Sequence, residues 1–381
     1  MAKWIWRFSL LVVLTTACGD ITVEAPTPAE GLGNGNFAVV LGADWQGMTG
    51  SLSLISLDDA SSVLPNLEIT HSDAVVRSFG GLIYVINRKG ADNIQVVDPE
   101  NFSTLSQFST GVGTNPQDLA ATSGRKAYVT LYEPENNQSG DLAVDDLLVI
   151  DPTTGLIEKT IDLTPWTADD GDRYPRASSL LLAGSKLFVA IQDLPGNLSA
   201  KPDQPGKLAK IDTETDQVEG VLTLDCRDPF EISYAEKLEK IYVACSDFFD
   251  LTSPFGGVEA VNLKTFASEG IQVSDDSLGG WVGGVEIGGA QGFVTVGLAD
   301  TTENRVVRFS LEDPGARKIL YQSRSYLPDI ALSPLGELLV CDRDPEKNGI
   351  LFLNQETGEV TGGPIAVGFP PASIAFLEGP R

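Results

Sequence analysis

Short apolar runs separated by polar turns fill the chain from Phe37 to Phe376, and no long stretch follows the 3.6-residue period of a helix. The runs are rich in β-branched and aromatic residues and are bounded by Gly, Pro, Asn and Asp clusters, which predicts strands throughout. One run recurs in recognisable form, an apolar strand ending in an aromatic-Val pair or its equivalent. It reads Leu82-Ile-Tyr-Val-Ile86, Lys126-Ala-Tyr-Val-Thr130, Lys186-Leu-Phe-Val-Ala190, Lys240-Ile-Tyr-Val-Ala244, Gly292-Phe-Val-Thr-Val296 and Glu337-Leu-Leu-Val-Cys341, with Phe37-Ala-Val-Val-Leu41 as a seventh copy. From Tyr84 onward the copies are spaced by 44 to 60 residues.

Each copy has the same companions. Upstream, a Pro- or Gly-marked lead-in opens another apolar strand, as at Asn115-Pro-Gln-Asp118, Tyr174-Pro-Arg-Ala177, Asp228-Pro-Phe-Glu231, Tyr326-Leu-Pro-Asp329 and Phe369-Pro-Pro-Ala372. Downstream, a third strand runs into an acidic or polar turn, as in Ile94-Gln-Val-Val-Asp-Pro99 and Leu147-Leu-Val-Ile-Asp-Pro152, and a fourth such as Ile157-Glu-Lys-Thr-Ile161 follows. Four antiparallel strands repeated every forty to sixty residues is the signature of an all-β propeller. The chain ends are complementary. Pro371-Ala-Ser-Ile-Ala-Phe376 is an inner-strand sequence with no partner after it, and the Phe37 run is a second strand with no inner strand before it. One blade is therefore expected to be built from both termini, which removes open sheet edges. The expectation is a seven-bladed β-propeller of four-stranded blades over residues 37–381.

The Tyr-Val strands, the Val-Asp-Pro and Ile-Asp-Pro turns and the Gly113-Thr-Asn-Pro116 approach resemble the YVTN family of propeller repeats, including YncE-like periplasmic and surface proteins. The resemblance spans nearly all of the chain after the tether. It implies the fold, and it implies little about activity, since propellers serve many functions.

The N-terminus implies export. Lys3 and Arg7 precede an apolar stretch from Phe8 to Leu14, far short of the ~20 residues of a spanning helix, and small residues lead to Cys18. Leu14-Thr-Thr-Ala-Cys18 resembles the bacterial lipobox, with Thr15 standing where that motif usually has Leu. Residues 1–17 are thus expected to be a signal peptide, and residues 18–36 a lipidated Cys18 with a Pro-, Gly- and acid-rich tether. The implied location is the cell envelope, facing the periplasm or the exterior, with the membrane met through the lipid alone. Gly19, where Asp often marks inner-membrane retention, favours the outer membrane.

Charge narrows the partners. The chain has 53 acidic and 26 basic residues, and loss of Lys3 and Arg7 takes the formal charge from −27 to −29. Such a surface repels nucleic acid and anionic lipid, and suits cationic or divalent partners.

Two sets of segments should share one face of the ring, the lead-ins to the inner strands and the links from second to third strands. The longest of the links are 131–146, 191–206 and 245–257. The lead-ins offer Asp73, Asp118, Arg176, Arg227, Asp228, Trp281, Tyr326 and Asp329 as candidate ligand-binding residues around the channel mouth, with Tyr174 and Phe230 among them. Aromatic faces beside paired charges suit a polar small molecule, a glycan or a peptide. The competing account has the same acids and prolines capping strands and the aromatics wedging between blades.

No catalytic constellation is apparent. His71 is the single histidine, which rules out multi-His metal centres, and no haem-attachment Cys-x-x-Cys-His occurs, so a haem- or quinone-linked redox role is disfavoured. Asp169-Asp-Gly-Asp172 clusters oxygens without the spacing of an EF-hand loop. Cys226 and Cys245 are expected to meet across one hairpin as a disulfide, consistent with export, and Cys341 to be a buried small hydrophobe. The leading expectation is a non-enzymatic binding or scaffold module for a ligand or protein partner, without a cofactor. The alternative is a lactonase-type hydrolase using channel-mouth carboxylates and a divalent cation such as Ca²⁺.

Overall fold

The aromatic-Val runs are the second strands of their blades, and burial explains their composition. In Leu82–Asn87, Lys126–Leu131, Lys186–Ile191 and Lys240–Cys245 the first residue is half-buried and every later one is buried. A strand covered on both faces loses the polar alternation of a half-exposed one. The outer strands keep that alternation, as in Thr104–Ser109 and Gln217–Thr223.

A computed structural model describes residues 35–59, 62–134, 145–167, 174–195, 198, 204–246, 256–298 and 303–377. Among them, 28 strands form seven four-stranded antiparallel sheets, confirming a seven-bladed propeller. Blades 1 to 6 occupy residues 74–109, 116–161, 177–223, 229–274, 281–323 and 330–365. Blade 7 joins the chain ends as expected: Pro371–Leu377 supplies its inner strand and pairs antiparallel with Phe37–Asp44, Ile374 opposite Val40. No helix among the described residues is long and apolar enough to cross a membrane.

The core is not continuous. It divides into seven apolar clusters, one at each blade junction. The recurring pair straddles two of them, because successive strand residues point to opposite faces. Tyr84 packs toward blade 2 and Val85 toward blade 7; Tyr128 packs toward blade 3 and Val129 toward blade 1. Tyr242 with Val243 and Phe293 with Val294 repeat the arrangement. The motif thus marks the residues that glue each blade to both neighbours.

Around the channel, side chains link one inner strand to the next. Asp118 Oδ2 accepts the Leu180 amide at 2.9 Å, Glu231 Oε2 the Val285 amide at 3.0 Å, and Glu286 Oε1 the Leu332 amide at 3.2 Å. Asp329 Oδ2 accepts the Ile374 amide at 2.8 Å, and Ser373 Oγ the Val76 amide at 3.3 Å. Ser178 Oγ donates to the Pro229 carbonyl at 2.9 Å, and Arg77 pairs with Asp118 at 2.8 Å. All seven junctions carry such a link.

Candidate functional site

The lead-ins are built alike in blades 2, 3 and 4. Asn115, Arg176 and Asp228 take positive φ of 52°, 53° and 52° immediately before the inner strands Pro116–Ser123, Ala177–Ala183 and Pro229–Ala235. Asn and Asp tolerate this left-handed geometry better than most residues. Arg176 is held there by stacking, its guanidinium carbon 5.2 Å from the Tyr132 ring centre and 5.0 Å from that of Tyr174. The register against the second strand then shifts early in each inner strand, between Pro116 and Leu119, Ala177 and Leu180, Pro229 and Glu231, and Val282 and Gly284 in blade 5. Bulges of this kind re-aim side chains. Here they turn Gln117, Asp118, Ser178, Ser179 and Phe230 to the channel.

The result is a two-part funnel. An upper chamber of about 520 Å³ is lined by both lead-ins and second-to-third-strand links, among them Asp73, Arg88, Asn115, Tyr132, Glu133, Asp228, Trp281 and Asn304. The two kinds of segment therefore do share one face. A lower chamber of about 280 Å³ continues into the channel between Arg77, Asp118, Glu231, Asp329 and Ser373, with Trp45 at its lip. Arg88, Gln117, Gln192, Phe230, Gly283 and Tyr326 line both.

The upper walls are fixed by neighbouring contacts. Tyr132 donates its hydroxyl to Gln192 at 2.6 Å, joining blades 2 and 3, and Arg88 pairs with Asp73 at 2.6 Å. The Trp281 ring lies against Gly297, where a Cβ would stand 2.5 Å from it, so only glycine admits the indole. At the lip, the Arg343 guanidinium sits 3.6 Å from the Trp45 ring centre and donates to the carbonyls of Ala43, Pro370 and Pro371, and Tyr326 lies 6.1 Å from Trp45.

The channel floor is acid-rich. Arg77 is committed to Asp118 and to the Val76 carbonyl, and Glu231, Glu286 and Asp329 form no ion pair with any described residue. Burial raises Glu231, the nearby Asp329 charge raises it further, and Arg77 and the Val285 amide only partly oppose this. Burial likewise pushes Glu286 up to about 7 and holds Asp329 above the ordinary carboxylate range. Carboxylates removed from bulk water without a cation favour the protonated form.

Of the residues singled out in the sequence, Asp73, Asp118, Asp228, Trp281, Tyr326 and Asp329 line the funnel, as does Phe230. Arg176 and Arg227 are buried and line neither chamber. Arg176 instead lies behind the wall, between Tyr132, Tyr174 and Glu133. His71 ends the outer strand Val63–His71 and accepts the Asp73 amide on Nδ1 at 3.2 Å, so it is not a channel residue. Arg77 and Glu231 went unrecognised as channel residues, and Glu286 as the inner-strand acid that accepts the Leu332 amide of the next blade. Their signal was a charged residue within an apolar inner strand.

Cys226 and Cys245 form the expected disulfide, with Cα atoms 6.0 Å apart, and Cys341 is a buried free thiol. Cys18, Asp169 to Asp172 and most of the three long links lie outside the described residues. The one grouping of three carboxylates with ligand atoms within 4.8 Å of one another, among the described residues, is Asp145, Asp146 and Asp162, and it lines neither chamber.

No family model and no curated protein sequence matches the chain. Solved structures do. The periplasmic gluconolactonase PpgL of Pseudomonas aeruginosa is 13% identical with a TM-score of 0.63, covering 91% of this chain and 100% of its own. A chain of a mitotic checkpoint complex is 13% identical with a TM-score of 0.53, covering 89% of this chain and 96% of its own. Dihydro-heme d1 dehydrogenase NirN, in complex with DHE, is 14% identical with a TM-score of 0.52, covering 89% and 74%. At such identities the likeness establishes the propeller fold and nothing finer.

Proposed function

We propose that the protein is a binding module, tethered outside the cytoplasm by a lipid on Cys18, that takes a small polar ligand in the funnel of its loop face. The funnel carries this reading. Its upper chamber of about 520 Å³ falls within the few hundred to a thousand Å³ of small-molecule sites, and it has aromatic walls with a few placed amides and charges. The sequence of residues 1–36 and the Cys226–Cys245 disulfide support an oxidising compartment. The YVTN-type repeat is the family reading that agrees with the Tyr-Val strands. The hydrolase alternative draws less support. It calls for oxygens converging within coordination distance, whereas the one grouping of three carboxylates that does so among the described residues, Asp145, Asp146 and Asp162, lies outside the funnel.

The test is a ligand-observed NMR screen of amines, amino acids, saccharides and aromatic acids against the purified protein and a plugged variant, Gln117→Trp. Ligands seen with the wild type and lost on plugging support the reading. An empty screen, or signals that survive plugging, overturns it.

A further inference from the structure

The funnel holds an imbalance that its own residues leave uncorrected. The deep guanidinium of Arg77 is paired with Asp118, while Glu231 and Asp329 line the same chamber, near Arg77 but in no ion pair with it or with any other described residue. Glu231 gives Oε2 to the Val285 amide, and its Oε1 takes no hydrogen bond from any described residue. A second acceptor waits nearby. Thr295 is 1% exposed and its hydroxyl has no hydrogen-bond partner among the described residues, and it stands 2.7 Å from where a Cβ on Gly283, a wall residue of both chambers, would lie.

The corresponding hydroxyl in blade 2 is satisfied: Thr130 Oγ1 accepts the Asp118 amide at 3.1 Å and donates to the Ser178 carbonyl at 2.6 Å. Thr295 lacks both bonds. Gly284 lets the two come close, since an added Cβ there would crowd Glu231 Oε2 at 2.7 Å and lie 3.5 Å from Thr295 Oγ1. A chamber-lining carboxylate and a hydroxyl with no partner among the described residues thus stand close together on the wall of the lower chamber. An uncompensated carboxylate and an unmade hydrogen bond in such surroundings are both costly.

We propose that the funnel's ligand is an organic amine, its flat apolar body among Phe230, Trp281 and Tyr326 and its ammonium group directed down to Glu231, Asp329 and Thr295. An ammonium is a compact charge with three donors, which suits acceptors of mixed type, and aromatic walls favour a cation over an anion. This rests on the funnel being a ligand site and names the ligand's class.

Three indoles of similar shape separate charge from fit: tryptamine, the neutral alcohol tryptophol and indole-3-acetate. By isothermal titration calorimetry at pH 7.5, tryptamine is expected to bind about tenfold more tightly than tryptophol, as a charge-assisted hydrogen bond requires, and indole-3-acetate not to bind. Glu231→Gln retains an oxygen for the Val285 amide and should erase the tryptamine preference. Trp281→Ala should weaken both indoles. Equal or tighter binding of tryptophol or the acetate, or a preference that survives Glu231→Gln, overturns the amine inference and leaves the funnel as a ligand site. If all three indoles are silent and the screened ligands lost on plugging carry no amine, the amine inference alone fails; if that screen is empty too, both readings fail.

Discussion

Asp329 reaches across the last junction of the ring and accepts the backbone amide of Ile374 at 2.8 Å. The two residues belong to different blades, and Ile374 lies on the C-terminal strand that closes the propeller. Neighbouring inner strands belong to separate sheets and share no backbone ladder. A side-chain oxygen therefore does what a strand carbonyl does within a blade, which accounts for polar residues at these positions.

This link gives a direct comparison. Asp329→Asn keeps an oxygen for the Ile374 amide and removes an unpaired carboxylate, so it should hold or raise stability. Asp329→Ala leaves the amide without that partner and should be less stable than the Asn variant by about 1–3 kcal/mol. Urea denaturation of the two checks this, and coincident midpoints would refute the role of the link.

Glu286 predicts a pH dependence. Burial raises its folded-state pKa to about 7, above the ordinary glutamate value, so its neutral form suits the fold and its charged form opposes it. Its contribution is fully present below the unfolded-state value and is lost as pH rises toward 7. Glu286→Gln should flatten that decline by about 1–3 kcal/mol between pH 4.5 and 7.5. Thermal melts across that window, with the exposed Glu312→Gln as a control, test it; parallel curves for wild type and Glu286→Gln would sink the idea.

The Cys226–Cys245 bond closes a segment with a sequence separation of 19, holding the lead-in of blade 4 to the end of its second strand. Replacing both cysteines with serine should cost about 2–4 kcal/mol. Denaturation with and without reductant should give the same loss in the wild type and none in the double variant. Thiol titration of the unfolded, unreduced chain should find Cys341 and neither partner of the disulfide.

Lipidation at Cys18 predicts that a palmitate analogue fed to expressing bacteria labels the protein and that Cys18→Ser abolishes the label. A labelled serine variant, or an unlabelled wild type, would remove the anchor from the functional reading.

The repeat was legible because each blade buries its second strand from both sides, so Tyr84-Val85, Tyr128-Val129 and Tyr242-Val243 had to be apolar in succession. Closure was legible because the two termini lacked complementary strands, and the disulfide because one hairpin carries both cysteines. The funnel was half legible: Trp281 and Tyr326 stand at lead-ins marked by turn residues, whereas Arg176 announced itself in the same way and proved to be wall support. Glu231 and Glu286 were hidden, since a charge within an apolar strand reads alike whether it faces bulk water or is buried. Local patterning determined the strands, their number and their order. Which side chains converge, and how little positive charge meets the acids at the centre, arises only when seven blades bring residues hundreds of positions apart around one axis.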